Sequence, residues 1–449
     1  MESLIDSVEF AVREAERLGV TEVEAFSQRQ RIIEILLERG EIQSERVKTR
    51  QGIGIRIIKD KRLGFAFAST LDREVIWNTC RDASKLADVS PKNPEWRSLP
   101  YPKSIPPEPE GLYDEELASL TPDEALKMTM DGYEAVKNFD PRVSIDDGKL
   151  SLSITEVAIS NSHGIDLESR GTAISFYLVC IAKENGEASS FSYEYDLSRT
   201  LRGFSTERIG EKAARKALIS LGARKIESFR GEVILSPDVA ADVLFGPVVS
   251  SINADNVQRG RSLWADKIGL EVADRKLTLI DDGLLPYGIG SSQFDAEGVP
   301  SQRTVVVENG VLRSFLYDSY TANKANREST GNAARGSYSS LPSISISNLL
   351  VKPGTKSPED LISEVDNGII INRFSGNVEF ESGDFSGIAK QACYVRNGEV
   401  KFPLKETMIS GNAFESLKRI IEVGSDRRAT MDGVYAPSIL IGDVNIVSK

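Results

Sequence analysis

Seven of the chain's 18 prolines, Pro91, Pro94, Pro100, Pro102, Pro106, Pro107 and Pro109, fall within nineteen residues. Proline has no N–H for a helix or a sheet ladder and its ring collides with the preceding turn, so neither a helix interior nor a central strand can cross this stretch. We place a linker at residues 89–118. A chain of 449 residues is too long for a single core, and the linker separates an N-terminal unit, 1–88, from a middle unit, 119–225, and a C-terminal unit, 226–449.

Within the first unit, Leu4, Val8, Ala11, Ala15 and Leu18 recur at helical spacing, β-prone runs with Gly and charged turns follow, and Val75, Ile76, Cys80, Ala83 and Leu86 predict a second helix. Thr121, Pro122 and Glu124 form an N-cap, a first-turn proline and a capping-box acid, which start a helix running to about Asn138. Alternation at Ile174, Phe176, Leu178 and Cys180 predicts a strand, and Ile209, Ala213, Ala217 and Leu221 a helix that ends before Gly222. Beyond Arg230 the chain is strand-rich, with one helix starting at Ser236-Pro237 and a hairpin at Asn309-Gly310. The expected class is α+β: N-terminal α+β units followed by a large, mostly antiparallel β domain.

The net charge of −12 repels phosphate backbones and anionic lipid, which disfavours direct nucleic-acid binding and membrane-surface binding. No segment has the run of about 18 apolar residues that a membrane span requires, and a cytoplasmic protein is expected. The one histidine, His163, lies in the turn-like Asn161-Ser162-His163-Gly164 and reads as a solvated turn residue. Cys80, Cys180 and Cys393 are dispersed and read as reduced packing residues. With one imidazole and no Cys pairing, a zinc site of the chain's own has no ligand set, and no metal or cofactor is expected in it. Gly52-Ile-Gly54 and Gly288-Ile-Gly290 lack the third glycine of a dinucleotide fingerprint. Asp146-Asp147-Gly148 and Asp281-Asp282-Gly283 read as acidic turns.

The densest polar constellation is Ser292–Gly298, followed by Tyr317-Asp318-Ser319-Tyr320 and Ser329-Thr330-Gly331-Asn332. Such groups suit a surface that pairs with the orphan backbone of an extended peptide, and equally suit the capping of turns and helix starts. From these segments Phe294, Asp295, Glu297, Gly298, Tyr317, Asp318, Thr330, Gly331 and Asn332 are taken as candidate substrate-binding residues; no catalytic and no metal-binding residue is assigned.

Three ordered landmarks, FDAEGVPSQRTVVVENGVLRSFLYDSYTANKA, STGNAARG and NGEVKFPLKETMISGN, together with GIGIRIIKDKRLGFAFAS near the N-terminus, resemble the TldD/PmbA proteins, also described as modulators of DNA gyrase and microcin-maturation proteases. In that family a TldD-like subunit carries a His-Glu-x-x-x-His zinc motif on a helix, and a PmbA- or TldE-like subunit lacks it. Counting back from Gly260-Arg261-Ser262, Phe245 and Ser250 stand where the histidines would be and Gly246 where the glutamate would be. The Gly246-Pro247 step is expected to end the helix near that point. The resemblance implies a PmbA/TldE-like subunit of a two-component zinc metalloprotease, enclosing a chamber for unfolded peptides while a TldD-like partner supplies the zinc. The alternatives are a homodimeric peptide-binding or scaffold protein, and an autonomous hydrolase using Asp295 and Glu297.

Overall fold

The computed structural model describes residues 3–405 and 407–448. Helix α1 (Leu4–Arg17) is capped by the Ser3 side chain and leads into long antiparallel strands β1 (Glu22–Glu38) and β2 (Glu41–Lys59), then β3 (Arg62–Ala68) and helix α2 (Arg73–Val89). After the short helix α3 (Glu115–Ser119), helix α4 (Pro122–Phe139) begins with the capping box at Thr121 and Glu124. Strands β4 (Val143–Asn161), β5 (Asp166–Glu184), β6 (Glu187–Ala188) and β7 (Ser192–Ser198) precede helix α5 (Thr206–Ile219).

These strands make one sheet, ordered β3-β2-β1-β4-β5, with β6 and β7 both on β5. The join is β1 against β4, paired from Glu24 with Asn161 to Glu38 with Asp147, so strands from either side of the proline-rich segment share a ladder. One end of the sheet packs under α1 and α2 through Val8, Ala11, Ala25, Ile55, Ile76 and Cys80. The other packs under α4 and α5 through Ile35, Leu152, Phe176, Leu178, Ala213 and Ala217. Near α4 and α5 the strands alternate buried and half-buried residues. Over Val23–Ser27 and Gly52–Ile58 burial is continuous, the mark of a strand covered on both faces.

The second cover is the C-terminal domain. Its strands Asn367–Val378, Phe229–Leu235, Ile439–Ser448, Thr407–Asn412 and Asp384–Arg396 pair in that order, and the last pairs back with the first, closing a ring. All these pairings are antiparallel except Phe229–Leu235 with Asn367–Val378. A second sheet contains Leu279–Asp282 and the hairpin Arg303–Glu308 to Val311–Leu312, whose turn places Asn309 and Gly310 at φ 48° and 81°. Both φ values are positive, as a tight hairpin turn requires.

Several expectations change. The helix does not stop at Gly246-Pro247: Pro237–Ala240, a π-helical turn Ala241–Phe245 and Gly246–Ile252 run on as one composite helix. The Gly246 N–H reaches back to the Ala241 carbonyl, and this wider turn lets the chain pass the proline without ending the helix. In α2 the buried line is Ile76, Thr79, Cys80, Ala83 and Ala87, with Val75 and Leu86 exposed. Asp146 is a bulge inside β4 and Asp281 lies in a strand; neither forms the expected turn. The proline-rich segment is irregular apart from a bridge at Lys92, yet it is packed down: Trp96 and Leu99 are buried, and Glu22 accepts from the Trp96 indole at 2.7 Å and the Leu99 N–H at 2.9 Å. His163 occupies a turn without being solvated. It stacks on Tyr101 at 4.1 Å between ring centroids, with Glu22 3.5 Å from its Nε2.

Candidate functional site

The candidate residues come together where the C-terminal domain covers β1 and β2. Asp295 makes a tight turn: its Oδ1 accepts the Glu297 and Val299 N–H groups at 2.9 Å each, and Gly298, at φ 76°, supplies the left-handed residue the turn needs. Its Oδ2 accepts the Ala333 N–H at 3.0 Å, which ties the turn to the Thr330–Asn332 segment. Phe294 packs with Phe26, Ile159 and Ile165. Asp318 caps the helix Ser319–Lys324 through Thr321, whose N–H and hydroxyl donate to its Oδ1 at 2.8 and 2.6 Å. Thr330 accepts the Tyr317 N–H at 2.7 Å, and Asn332 donates to Asp281 at 2.6 Å and to the Ser345 carbonyl at 3.0 Å. Gly331, at φ 72°, lies so close to Pro300 that a Cβ would sit 2.5 Å from its carbonyl oxygen. The nine residues therefore lie in neighbouring segments of one region, and the side chains of Asp295, Glu297, Asp318, Thr330 and Asn332 are bonded to groups of this chain, while Tyr317 is held through its backbone.

Glu297 anchors the cluster to the N-terminal sheet. Its Oε1 accepts from Arg56 on β2 at 2.9 Å and its Oε2 from the Ser319 N–H at 2.9 Å. Arg56 also donates to Glu24 on β1 at 2.6 Å, Arg335 pairs with the second oxygen of Glu24, and all four side chains are at most 4% exposed. Arg335 further donates to the carbonyls of Ala296 and Ser340 and lies over the Phe26 ring. Burial alone would raise the Glu297 carboxyl, but the Arg56 charge and the Ser319 donor outweigh it and hold the carboxyl below its usual range. Asp295 goes the other way, pushed well up by burial and by the neighbouring Glu297 charge. Asp281 is raised to about 6 by burial, against the donors Asn332 and Ser347.

At the position where the resemblance places a metal motif, the composite helix carries no ligand. The Phe245 side chain is fully buried, a Cβ on Gly246 would meet the Phe380 ring at 3.0 Å, and the Ser250 hydroxyl accepts from the Asn256 amide at 3.2 Å. Among the described residues no group of three or more His, Cys, Asp or Glu side chains is placed to hold a metal ion. Zinc therefore does not fit this helix.

Beside the start of the same helix lies a cavity of about 190 Å³, lined by Tyr193, Tyr195, Asp238, Asp242, Gln391 and Thr430 among others, and Gln391 also lines a larger hollow of about 760 Å³. Tyr195 donates to Asp238, Arg428 lies over the Tyr195 ring at 4.6 Å, and Arg428 and Lys216 both pair with Glu194, at 3.3 and 2.6 Å. Asp242 is exposed at the cavity and raised to about 6, by desolvation first and then by the charges of Asp432 and Asp238. None of these residues stood out in the sequence. Asp238 and Asp242 at a four-residue spacing on one helix were the only available signal.

Models of the PmbA/TldA metallopeptidase domain 1, central domain and C-terminal domain match residues 23–87, 115–221 and 228–448. The metalloprotease PmbA of Escherichia coli O157:H7 is 27% identical over 91% of this chain and 88% of its own length. A metalloprotease TldD homologue of Buchnera aphidicola is 28% identical over 87% and 82%. The crystal structure of TldE from Thermococcus kodakarensis superposes with a TM-score of 0.93 at 27% identity, covering 98% of this chain and 100% of that one. A Thermotoga maritima protein described as a modulator of a DNA gyrase gives a TM-score of 0.90 at 27% identity, covering 99% and 100%. No helix among the described residues is long and apolar enough to cross a membrane. With all three family domains matched in order along its length, the chain belongs to the PmbA/TldD metallopeptidase family.

Proposed function

We propose that this chain is the PmbA/TldE-type, zinc-free subunit of a two-component peptidase, which shapes a chamber for unfolded peptides while a TldD-like homologue contributes the catalytic zinc. The observation that carries this reading is the composite helix. It keeps its length through a π-helical turn, while Phe245, Gly246 and Ser250 offer no donor set that a catalytic zinc could use. The likeness to a TldE crystal structure supports the same assignment. In this reading Phe294, Asp295, Glu297, Gly298, Tyr317, Asp318, Thr330, Gly331 and Asn332 serve the peptide by fixing the wall of the chamber. A carboxylate hydrolase is disfavoured because both oxygens of Asp295 and of Glu297 already accept hydrogen bonds from the chain.

The test is a digest of an unfolded peptide by this chain, by a TldD-like homologue and by their mixture, read by mass spectrometry with and without a chelator. Cleavage that needs both proteins and disappears with the chelator is expected, with no stoichiometric zinc in this chain after dialysis. Chelator-resistant cleavage by this chain alone would overturn the assignment.

A further inference from the structure

The cavity of about 190 Å³ beside the composite helix holds two buried polar side chains with unmet hydrogen-bonding capacity. The Gln391 amide nitrogen and the Thr430 hydroxyl have no hydrogen-bond partner among the described residues, and their residues are 8% and 3% exposed. Leaving such a group buried and unpaired costs about 1–3 kcal/mol, so it persists where something else completes it. Gln391 is also held in the left-handed region, at φ 48°, within the strand Asp384–Arg396. The ladder to Asn367–Val378 skips it, pairing Ile371 with Ala392 and Arg373 with Lys390, and the Asn372 side chain donates to its carbonyl at 3.0 Å. A non-glycine residue in this conformation costs about 1–2 kcal/mol. The strand keeps its register on both sides, and the ladder is interrupted only at the residue whose amide is left over.

The charges define what is missing. Asp238 is already engaged by Tyr195 and by Arg428, 3.7 Å away. Asp242 and Asp432, both exposed, line the same cavity, and among the described residues no cation is paired with either; after desolvation, the charges of Asp432 and Asp238 raise the Asp242 carboxyl. Tyr193 and Phe374 add aromatic surface to the lining, and Arg373 adds a single cation. The lining therefore asks for a cationic group, and within reach of it a carbonyl oxygen for the Gln391 amide and Arg373. It offers no metal-binding set.

We propose that this cavity binds the amino terminus of an extended peptide, with Asp242 and Asp432 holding the α-ammonium group and Gln391 donating to the first carbonyl oxygen. The assignment rests on the peptide-holding reading above and deepens it, since it gives the chain a means of recognising a free peptide end. At about 30 Å³ of liquid per water molecule, the cavity has room for roughly six waters, enough for an ammonium group and one peptide unit but not for a folded partner. Gln391 also lines the hollow of about 760 Å³, and we place the rest of the peptide there.

The experiment is fluorescence polarisation at low salt, using the full chain and a short lysine-free Ala/Ser peptide with a C-terminal fluorophore, compared with its N-acetylated form. Acetylation removes the charge and should weaken binding about tenfold, the loss of one charge-assisted hydrogen bond. Asp242→Asn and Asp432→Asn should each weaken the free peptide by a similar factor and leave the acetylated one unchanged, while Gln391→Ala should weaken both. An N-acetylated peptide containing one lysine, and free alanine as competitor, separate the possible sources of an ammonium group. Should either match the free peptide, the terminus assignment falls. Equal binding of free and acetylated peptides overturns the site and leaves the peptide-holding reading standing. No binding of any peptide, with or without the zinc-bearing homologue, overturns both. The acetylation comparison needs no variant, so it decides even if a substitution disturbs folding.

Discussion

Replacing Arg56 by Met removes the one side chain that bridges Glu24 on β1 and Glu297 in the C-terminal domain. Glu24 keeps Arg335, but Glu297, 1% exposed, keeps only the Ser319 N–H. Breaking a buried pair on one side typically costs about 3–5 kcal/mol, because the orphaned charge stays out of water. For a cooperative unit of this size each kcal/mol moves the midpoint by about 2–4 °C, so the unit holding β1 and β2 should melt roughly 6–20 °C lower. Since the lock joins two units, scanning calorimetry should show one transition splitting into two. Adding Glu297→Gln removes the orphaned charge and retains an acceptor for Ser319, and should recover at least half of the loss. The pH dependence has a definite sign. In the parent the lowered Glu297 carboxyl contributes stability above its ordinary range that is lost as pH falls through its folded value. Without Arg56, burial is opposed by the Ser319 donor and by the charge of Arg335, which is held by Glu24, and the carboxyl rises from its lowered value, so the deficit should shrink on acidification. An Arg56→Met protein that melts in one step within about 2 °C of the parent, or a double variant costing the sum of the singles, would refute the lock.

Gly54→Ala should destabilise by about 1–3 kcal/mol and expose the 335–341 loop to trypsin, because a Cβ there would sit 2.1 Å from the Tyr338 carbonyl oxygen; unchanged denaturation and digestion would contradict the close approach. The Asp281 carboxyl is raised to about 6, so the unfolded chain ionises first and stability should fall as pH rises from about 4 to about 6. Two pH units at 1.36 kcal/mol each make this slope worth about 3 kcal/mol, and urea melts of Asp281→Asn across that window should lack it. Burial pushes the Cys80 and Cys180 thiols up to about 12 and raises Cys393, so a thiol reagent at pH 8 should label none of the three until denaturant is added.

Local structure was readable where local chemistry decides it. The capping box at Thr121, the hairpin at Asn309-Gly310 and the buried alternation through Ile174, Phe176, Leu178 and Cys180 all follow from nearby residues. What failed depends on distant parts of the chain. The β1–β4 ladder pairs residues more than a hundred positions apart, so nothing local announces that units on either side of the prolines share a sheet. The same prolines do forbid regular structure, but they could not show that Trp96 and Leu99 pin the segment against Glu22. Gly52, Gly54 and Gly290 likewise had no visible purpose, since what presses on them is the Ala68 carbonyl with the Tyr338 ring, the Tyr338 carbonyl and the Ser347 carbonyl in turn. The π-helical turn before Pro247 is another case: the proline is visible, the wider turn that absorbs it is not.

The candidate site shows why polar density is a poor guide on its own. Carboxylates beside Gly, Tyr and Asn have the same composition whether they meet a ligand's amides or the chain's, and here Asp295, Glu297, Asp318 and Asn332 meet the chain's. What separates the two cases is hydrogen-bond capacity, which only three-dimensional structure can count. Glu297 ends with both oxygens occupied, whereas the Gln391 amide nitrogen and the Thr430 hydroxyl end unpaired among the described residues, in a cavity that Asp242 and Asp432 also line. Gln391 sits in the unremarkable run Ala389-Lys390-Gln391-Ala392, where nothing in the sequence sets it apart. Its left-handed backbone interrupts the ladder opposite Asn372, a pairing between strands that local sequence does not announce. A structure that spends strain to turn an unpaired donor toward an acidic cavity, while satisfying a far denser polar cluster nearby, directs the search for ligand to the cavity.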